Sequence, residues 1–498
     1  MCPLRPVLAS LAGLGVAVAA AGGAYPAWAD SAVSPAPNAL AASDGSAAST
    51  NPSAGPAIRP FGFLEGVGRS ATLLGDMWGL RPFLSRYGMT LQVQEVSEVM
   101  GNVTGGVRQG AAYQGLTTAT LQLDTKRAFG WDGGTFNASA LQIHGRNLSA
   151  DNLQTLQTAS GIEADRATRL WELWYQQKFG EDGRYDIKVG QQSLDQEYMV
   201  SQNALLFVNT MFGWPMLPSA NLPGGGPAYP LSSVGARLRA HVGDSWTGLF
   251  GVYSGNPAPS RDGDSQRLNA SGLSFPFNDG ALLIGELQYT YPGEGTMLYA
   301  DRPEPLAHTF KLGFWYHTSK FDDMRYDNSG LSLADPASSG QARRHRGNAS
   351  LYGVADQMVW VDKNESDRNI SVFARAMGTP FTDRNLIDVS LNAGVVMREP
   401  FLHRDDDTFG VGFGYAHVSR RAAGLDSDTG YYTDSFTPKR GGESFVEVTY
   451  QYEVTPWLQL QPDAQYVFSP GGGLANPDKP NERIRNVTVL GLRANIQL

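Results

Sequence analysis

The sequence predicts an all-β chain: a 16-stranded antiparallel transmembrane β-barrel preceded by a short N-terminal helical segment. Three observations carry that prediction. From Thr90 onward the chain falls into segments of roughly ten residues in which apolar and polar side chains alternate, as strands between lipid and water require. No internal run of ~18 apolar residues is present, so no transmembrane helix follows the N-terminal region. The connections between the alternating segments are in turn short and long. A chain that crosses lipid without helices must close its sheet, because every backbone N–H and C=O there needs an internal partner. Charged residues make up only 17% of the 498 residues, against about 25% in soluble domains.

The elements follow in chain order. Residues 1–29 have Arg5 as a positive start, an apolar stretch from Leu8 to Ala21, and Ala27-Trp28-Ala29 as a cleavage site. These are the parts of a secretory signal peptide. Residues 30–57 are nearly all Ala, Ser, Pro, Asn, Gly and Asp, a composition that cannot bury a core and predicts a disordered linker. Residues 58–89 form the N-terminal periplasmic helical segment, in which Leu73, Leu74, Met77, Leu80 and Leu84 make a rough helical stripe behind Ser70. Residues 90–498 are the barrel.

Alternation places sixteen strands near 90–100, 115–126, 135–145, 169–179, 184–193, 233–242, 246–254, 281–291, 307–317, 349–361, 369–378, 386–398, 408–418, 444–454, 457–468 and 486–498. In 169–179, Trp171, Leu173, Tyr175, Gln177 and Phe179 share one face, with Glu172, Trp174 and Gln176 opposite. The tight turns are GEDG (180–183), GDS (243–245) and TP (455–456); the long outer loops are 146–168, 194–232, 255–280, 318–348, 419–443 and 469–485. Sixteen strands enclose an aqueous lumen, whereas about eight would be filled by side chains.

Composition excludes other classes. The formal charge of −9 argues against nucleic-acid binding. The one cysteine, Cys2, falls in the predicted signal peptide, so disulfides and thiolate chemistry are excluded from the mature chain. HExxH, GxSxG and Walker A motifs are absent, and no cofactor or resident metal is expected. HRDDDT (403–408) has carboxylates of the kind calcium takes, yet its place between two strands fits a charged turn.

Several stretches resemble the carbohydrate-selective porin family, OprB: LLGDMWGLRPFLSRYGMTLQVQEVSEVMGNVTGG (73–106), RLWELWYQQKF (169–179), KVGQQSLDQEY (188–198), FVNTMFGWP (207–215) and ESFVEVTYQYEVTPWLQLQPDAQYVFSPGGG (443–473). The likeness runs over residues 61–498; Met77, the Ala/Ser/Pro tail and Leu498 depart from the family pattern. The resemblance implies a 16-stranded outer-membrane barrel of a Gram-negative bacterium. It would pass glucose and related sugars passively, as a monomer or homo-trimer, without enzymatic activity. A hydrolase site on the rim, or a plugged structural or adhesive barrel, are the alternatives that alternation alone leaves open.

A neutral, polar solute with one apolar ring face calls for hydroxyl partners and an aromatic surface. Alternation turns Glu172, Trp174, Gln176, Lys188, Arg237, Arg239, His241, Arg375, Arg398, Glu447 and Gln451 inward as pore-lining, sugar-binding candidates. Arg237, Arg239 and Glu172 are expected at the constriction, with Trp174 stacking on sugar. The loop 194–232 is too apolar for a free surface loop. It is expected to fold inward, with Tyr198, Phe207, Phe212 and Trp214 packed on the inner wall.

Overall fold

The computed structural model describes residues 71–293, 306–362, 368–401 and 406–498. The predicted signal peptide, the linker and the first half of HRDDDT (403–405) lie outside these residues. The described part of the N-terminal segment forms α1 (Leu80–Arg86). The strands are β1 (Met89–Gly106), β2 (Gly110–Asp124), β3 (Gly134–Gly145), β4 (Ala167–Phe179), β5 (Tyr185–Gln192) and β6 (Ser233–Val242). Next come β7 (Trp246–Ser254), β8 (Ala281–Tyr291), β9 (His308–Asp327), β10 (Ala342–Val361), β11 (Asn369–Gly378) and β12 (Ile387–Arg398). The last are β13 (Thr408–Val418), β14 (Gly442–Thr455), β15 (Leu458–Phe468), the small pair β16 (Ala475–Asn476) and β17 (Lys479–Arg483), and β18 (Arg485–Gln497).

Sixteen of these close into one antiparallel barrel in which each strand pairs with its chain neighbour and β18 closes onto β1; β16 and β17 form a separate hairpin. Closure leaves no sheet edge for lipid to meet. Leu73 N–H donates to the Gln497 carbonyl at 2.7 Å, and Arg81 Nη2 donates to the Leu498 carbonyl at 2.5 Å. Both ends of the barrel chain therefore sit at one mouth, together with the short turns after β4, β6 and β14.

Period two decides which face each side chain takes. Leu173, Leu238, Phe250, Leu312, Val411, Val448 and Leu490 point outward and are exposed. On the inward side, Arg237, Arg375, Glu447 and Arg493 are buried to within 2% of full enclosure. The usual arrangement of a soluble β protein is thus inverted, because the solvent of the outer face is lipid.

Three features depart from the alternation reading. β9 and β10 continue as a paired ribbon beyond the expected ends, with Arg346 opposite Lys320 and Arg344 opposite Asp322; the predicted loop 318–348 contracts to 328–341. Both faces of that ribbon carry polar residues, so no oily face marks it as strand. The loop 419–443 contains a helix, Arg420–Thr433, whose first turn is capped by the Ser419 hydroxyl. Trp171 is a correction of face. The register slips between Ser139 and Ala140, and this bulge turns Trp171 inward beside Leu141, Ile143, Ile162 and Tyr229, not outward with Leu173.

Candidate functional site

Where the chain leaves β5, residues 193–232 turn into the lumen. This third outer loop is held by bonds from the barrel wall to its backbone. The Glu447 carboxylate accepts from the N–H groups of Val208 (2.6 Å) and Asn209 (3.0 Å). Glu286 accepts from Met199 N–H at 2.7 Å, and Asp356 accepts from the Ser201 hydroxyl at 2.6 Å. Arg375 donates to the carbonyls of Met199 (2.8 Å), Gly213 (2.9 Å) and Met211. Gln461 Nε2 donates to the Leu206 carbonyl at 2.7 Å. A loop in a lumen has backbone groups that must find partners, and charged wall residues make the stronger kind of bond.

Aromatic packing fixes the loop's position. Phe207 and Phe212 stack at 4.4 Å between centroids, with Phe373 and Phe445 against them at 5.6 and 5.5 Å. The wall beneath is the run TFGVGFG of β13. A Cβ at Gly412 would lie 2.5 Å from Phe212 Cζ, and one at Gly410 2.6 Å from Leu206 Cδ2. Alternate glycines thus cut a trough for the two rings. Tyr198 packs on β7 near Gly251 and Tyr253. Trp214 is buried in the same cluster and donates from Nε1 to the Gly225 carbonyl of its own loop at 2.9 Å.

The second outer loop (146–166) joins the third. Gly161 N–H donates to the Val208 carbonyl at 2.8 Å, and Thr210 N–H to the Thr158 carbonyl at 3.1 Å. Its own anchor is Glu443, which accepts from the N–H groups of Leu156 and Gln157 at 2.8 and 2.7 Å. Glu163, buried in this loop, accepts from Ser149 N–H at 3.0 Å. Burial, with the Glu98 charge adding to it, pushes its carboxyl up to about 8.

The sequence-derived candidates divide into groups. Arg375 and Glu447 face inward but do not line open water; both are sealed beneath the third loop as its clamps, a correction of their expected role. On β4–β6 the remaining charges form a ladder. Asp186 bridges Arg237 and, at 2.6 Å, Arg239. Glu197 bridges Arg237 (2.5 Å) and Lys188 (3.2 Å). Lys188 Nζ sits 4.7 Å from the Trp174 ring centroid. Burial opposes the Glu197 charge, yet the Lys188 and Arg237 cations outweigh it and hold the carboxyl below its ordinary range. Glu172 accepts from Ser193 N–H at 3.0 Å and so holds the start of the loop. Gln176 is buried on the same wall. Toward the turn-bearing mouth lie His241, 3.0 Å from the Thr247 hydroxyl, Gln451, bonded to Gln459 at 3.0 Å, and Arg398, exposed at the end of β12. Asp186, opposite Ile187 in the strand pattern, was legible as inward. Glu197 lay in a loop with no periodicity to orient it.

A closed 16-stranded barrel, oily outside, with an extracellular loop folded into its lumen, defines the porin class of outer-membrane channels. The chain belongs to the carbohydrate-selective porin, OprB, family, whose model matches residues 108–498. It is 26% identical over 432 residues to Porin B of Pseudomonas aeruginosa, covering 81% of this chain and 88% of that one. It is 21% identical over 428 residues to the putative porin QuiX of Acinetobacter baylyi, covering 80% and 89%. The high-pH structure of Pseudomonas putida OprB superposes with a TM-score of 0.73 at 24% identity, covering 86% of this chain and 99% of that one. The protein is therefore an outer-membrane sugar porin of a Gram-negative bacterium, a channel and not an enzyme.

Proposed function

We propose that this porin passes monosaccharides such as glucose, and that the ladder on β4–β6 is the surface they follow. The observation that carries this reading is the balance of the wall. Asp186, Glu197 and Glu172 stand against Arg237, Arg239 and Lys188, with Trp174 among them. Three charges of each sign set no strong single-sign field across the lane, which disfavours selection of either anions or cations. Lys188, Glu197 and Arg239 are the ladder's partly exposed members and offer donors and acceptors side by side, as a ring of hydroxyls requires, while buried Arg237 and Asp186 hold them in place. Trp174, already engaged by Lys188, offers an apolar ring face at the same level.

Liposome swelling tests the proposal. Proteoliposomes should swell faster in glucose than in a charged solute of equal size, and more slowly in a trisaccharide. Equal rates for glucose and the charged solute would refute selection by a balanced wall.

A further inference from the structure

The wall of the barrel is notched above β5 and β6. The chain leaves β5 after Gln192 and returns to β6 at Ser233. β4 runs on outward to Ala167, but β5 pairs with it only as far as Leu173 opposite Gln191. A segment of the fourth outer loop, residues 271–277, lies across this gap. On one side Leu170 N–H of β4, beyond the reach of β5, donates to the Ser271 carbonyl at 3.0 Å. A Cβ on Gly272 would fall 1.8 Å from the Leu170 carbonyl oxygen, so glycine there is what lets the segment approach the free edge of β4. On the other side the Ser254 hydroxyl, at the end of β7, donates to the Pro276 carbonyl.

The segment lies on the outward side of the sheet. Alternation along β5 points Tyr185, Ile187 and Val189 outward, where they are exposed, and puts Gln191 on the same face. Gln191 is nevertheless only 2% exposed, because the segment covers it: its Nε2 donates to the Gly272 carbonyl at 3.0 Å. On β7, Phe250 and Val252 are exposed on the face that Ser254 shares. Beyond these two outward columns stand Leu273, Phe275 and Phe277, exposed by 60%, 39% and 70%.

Height and backbone chemistry decide what these side chains meet. β5 has eight residues, roughly 26 Å of strand, or about 20 Å of height at the ordinary tilt. The apolar band of such a barrel is about 25 Å tall, so the strand face over β5 ends while acyl chains continue. Irregular backbone at that depth must bring its own hydrogen-bond partners. Beyond the bonds from Leu170, Gln191 and Ser254, Ser274 N–H donates to Asn269 Oδ1 at 3.0 Å, and its carbonyl accepts from Asn269 Nδ2 at 3.2 Å. Pro276 has no N–H to satisfy. We infer that residues 271–277 are a lipid-binding belt, in which Leu273, Phe275 and Phe277 lie against acyl chains of the outer leaflet and complete the apolar band where β5 and β6 stop short. The belt seals the place where the third loop passes through the line of the wall. A loop standing in water would gain nothing from backbone groups satisfied in this way, and its three large apolar side chains would form an exposed patch.

Spin labelling of the whole barrel in proteoliposomes tests this. Residues 90–498 contain no cysteine, so Leu273→Cys and Phe277→Cys each give one labelling site on the barrel. Leu312→Cys, on the lipid-facing wall, and Gln341→Cys, in the exposed turn between β9 and β10, serve as references. Collision of each nitroxide with molecular oxygen, which concentrates in acyl chains, is compared with collision with a water-soluble nickel chelate. Heat-modifiable electrophoretic mobility reports that each labelled barrel is folded. The oxygen-to-nickel ratio at 273 and 277 should match that at 312 and stand several-fold above that at 341. A ratio at both positions equal to that at 341 would mean water covers the segment, and overturns the inference. Slow collision with both reagents overturns it as well, since the segment would then be covered by protein.

Discussion

Arg375 is the wall residue on which the third loop most depends, and its removal gives a defined expectation. In Arg375→Ala the carbonyls of Met199, Met211 and Gly213 lose their donor together. Each loss costs on the order of 1 kcal/mol when water can reach the freed group, so the docked loop weakens by about 3 kcal/mol. That corresponds to a roughly 100-fold rise in the ratio of undocked to docked loop. The wall gains little in return, since Asn392, which bonds the same guanidinium at 3.1 Å, is left without its partner. In planar bilayers the variant should show bursts of higher conductance above the quiet level of the parent channel. Swelling assays should show that it no longer distinguishes a monosaccharide from a trisaccharide. Limited proteolysis should cut within 193–232 far faster than in the parent. Unchanged channel noise together with unchanged protease resistance would refute the clamp.

Other outcomes follow from the same contacts. Gly412→Ala places a methyl 2.5 Å from Phe212 Cζ, and overpacking of this kind costs about 1–3 kcal/mol; a lowered melting temperature and altered conductance are expected, whereas Val411→Ala on the lipid side should leave conductance unchanged. Glu163 holds its proton to about 8 when the second loop is docked and releases it near 4.5 when free. Docking is therefore at full strength below pH 4.5, falls as pH rises toward 8, and is flat beyond, by on the order of 5 kcal/mol in all. Proteolysis of residues 146–166 should rise across that window, and Glu163→Gln should flatten the rise. Trp174→Ala should slow glucose-driven swelling several-fold while changing ion conductance little, as measured on the same preparation; equal loss of both would mean the ring serves only to hold the wall.

The sequence by itself determined the barrel. Strands such as β6, where Ala236, Leu238 and Ala240 alternate with Arg237, Arg239 and His241, can satisfy lipid and water only in one register, so period two decides the strand, its face and, by summation, the sixteen-strand lumen. It also marked the loop at 194–232, because Phe207, Phe212 and Trp214 are too apolar to stand in water. What each inward residue touches was decided only by tertiary structure. Arg237 and Arg375 read alike in sequence, yet one is neutralised by Asp186 and Glu197 and the other holds three loop carbonyls. The glycines at 410 and 412 gained meaning only when Phe207 and Phe212 arrived from 200 residues away. Alternation fixes the direction of a side chain because direction is local to the strand. Its partner depends on which loop folds back across the lumen, and that is settled by contacts between segments far apart in the chain.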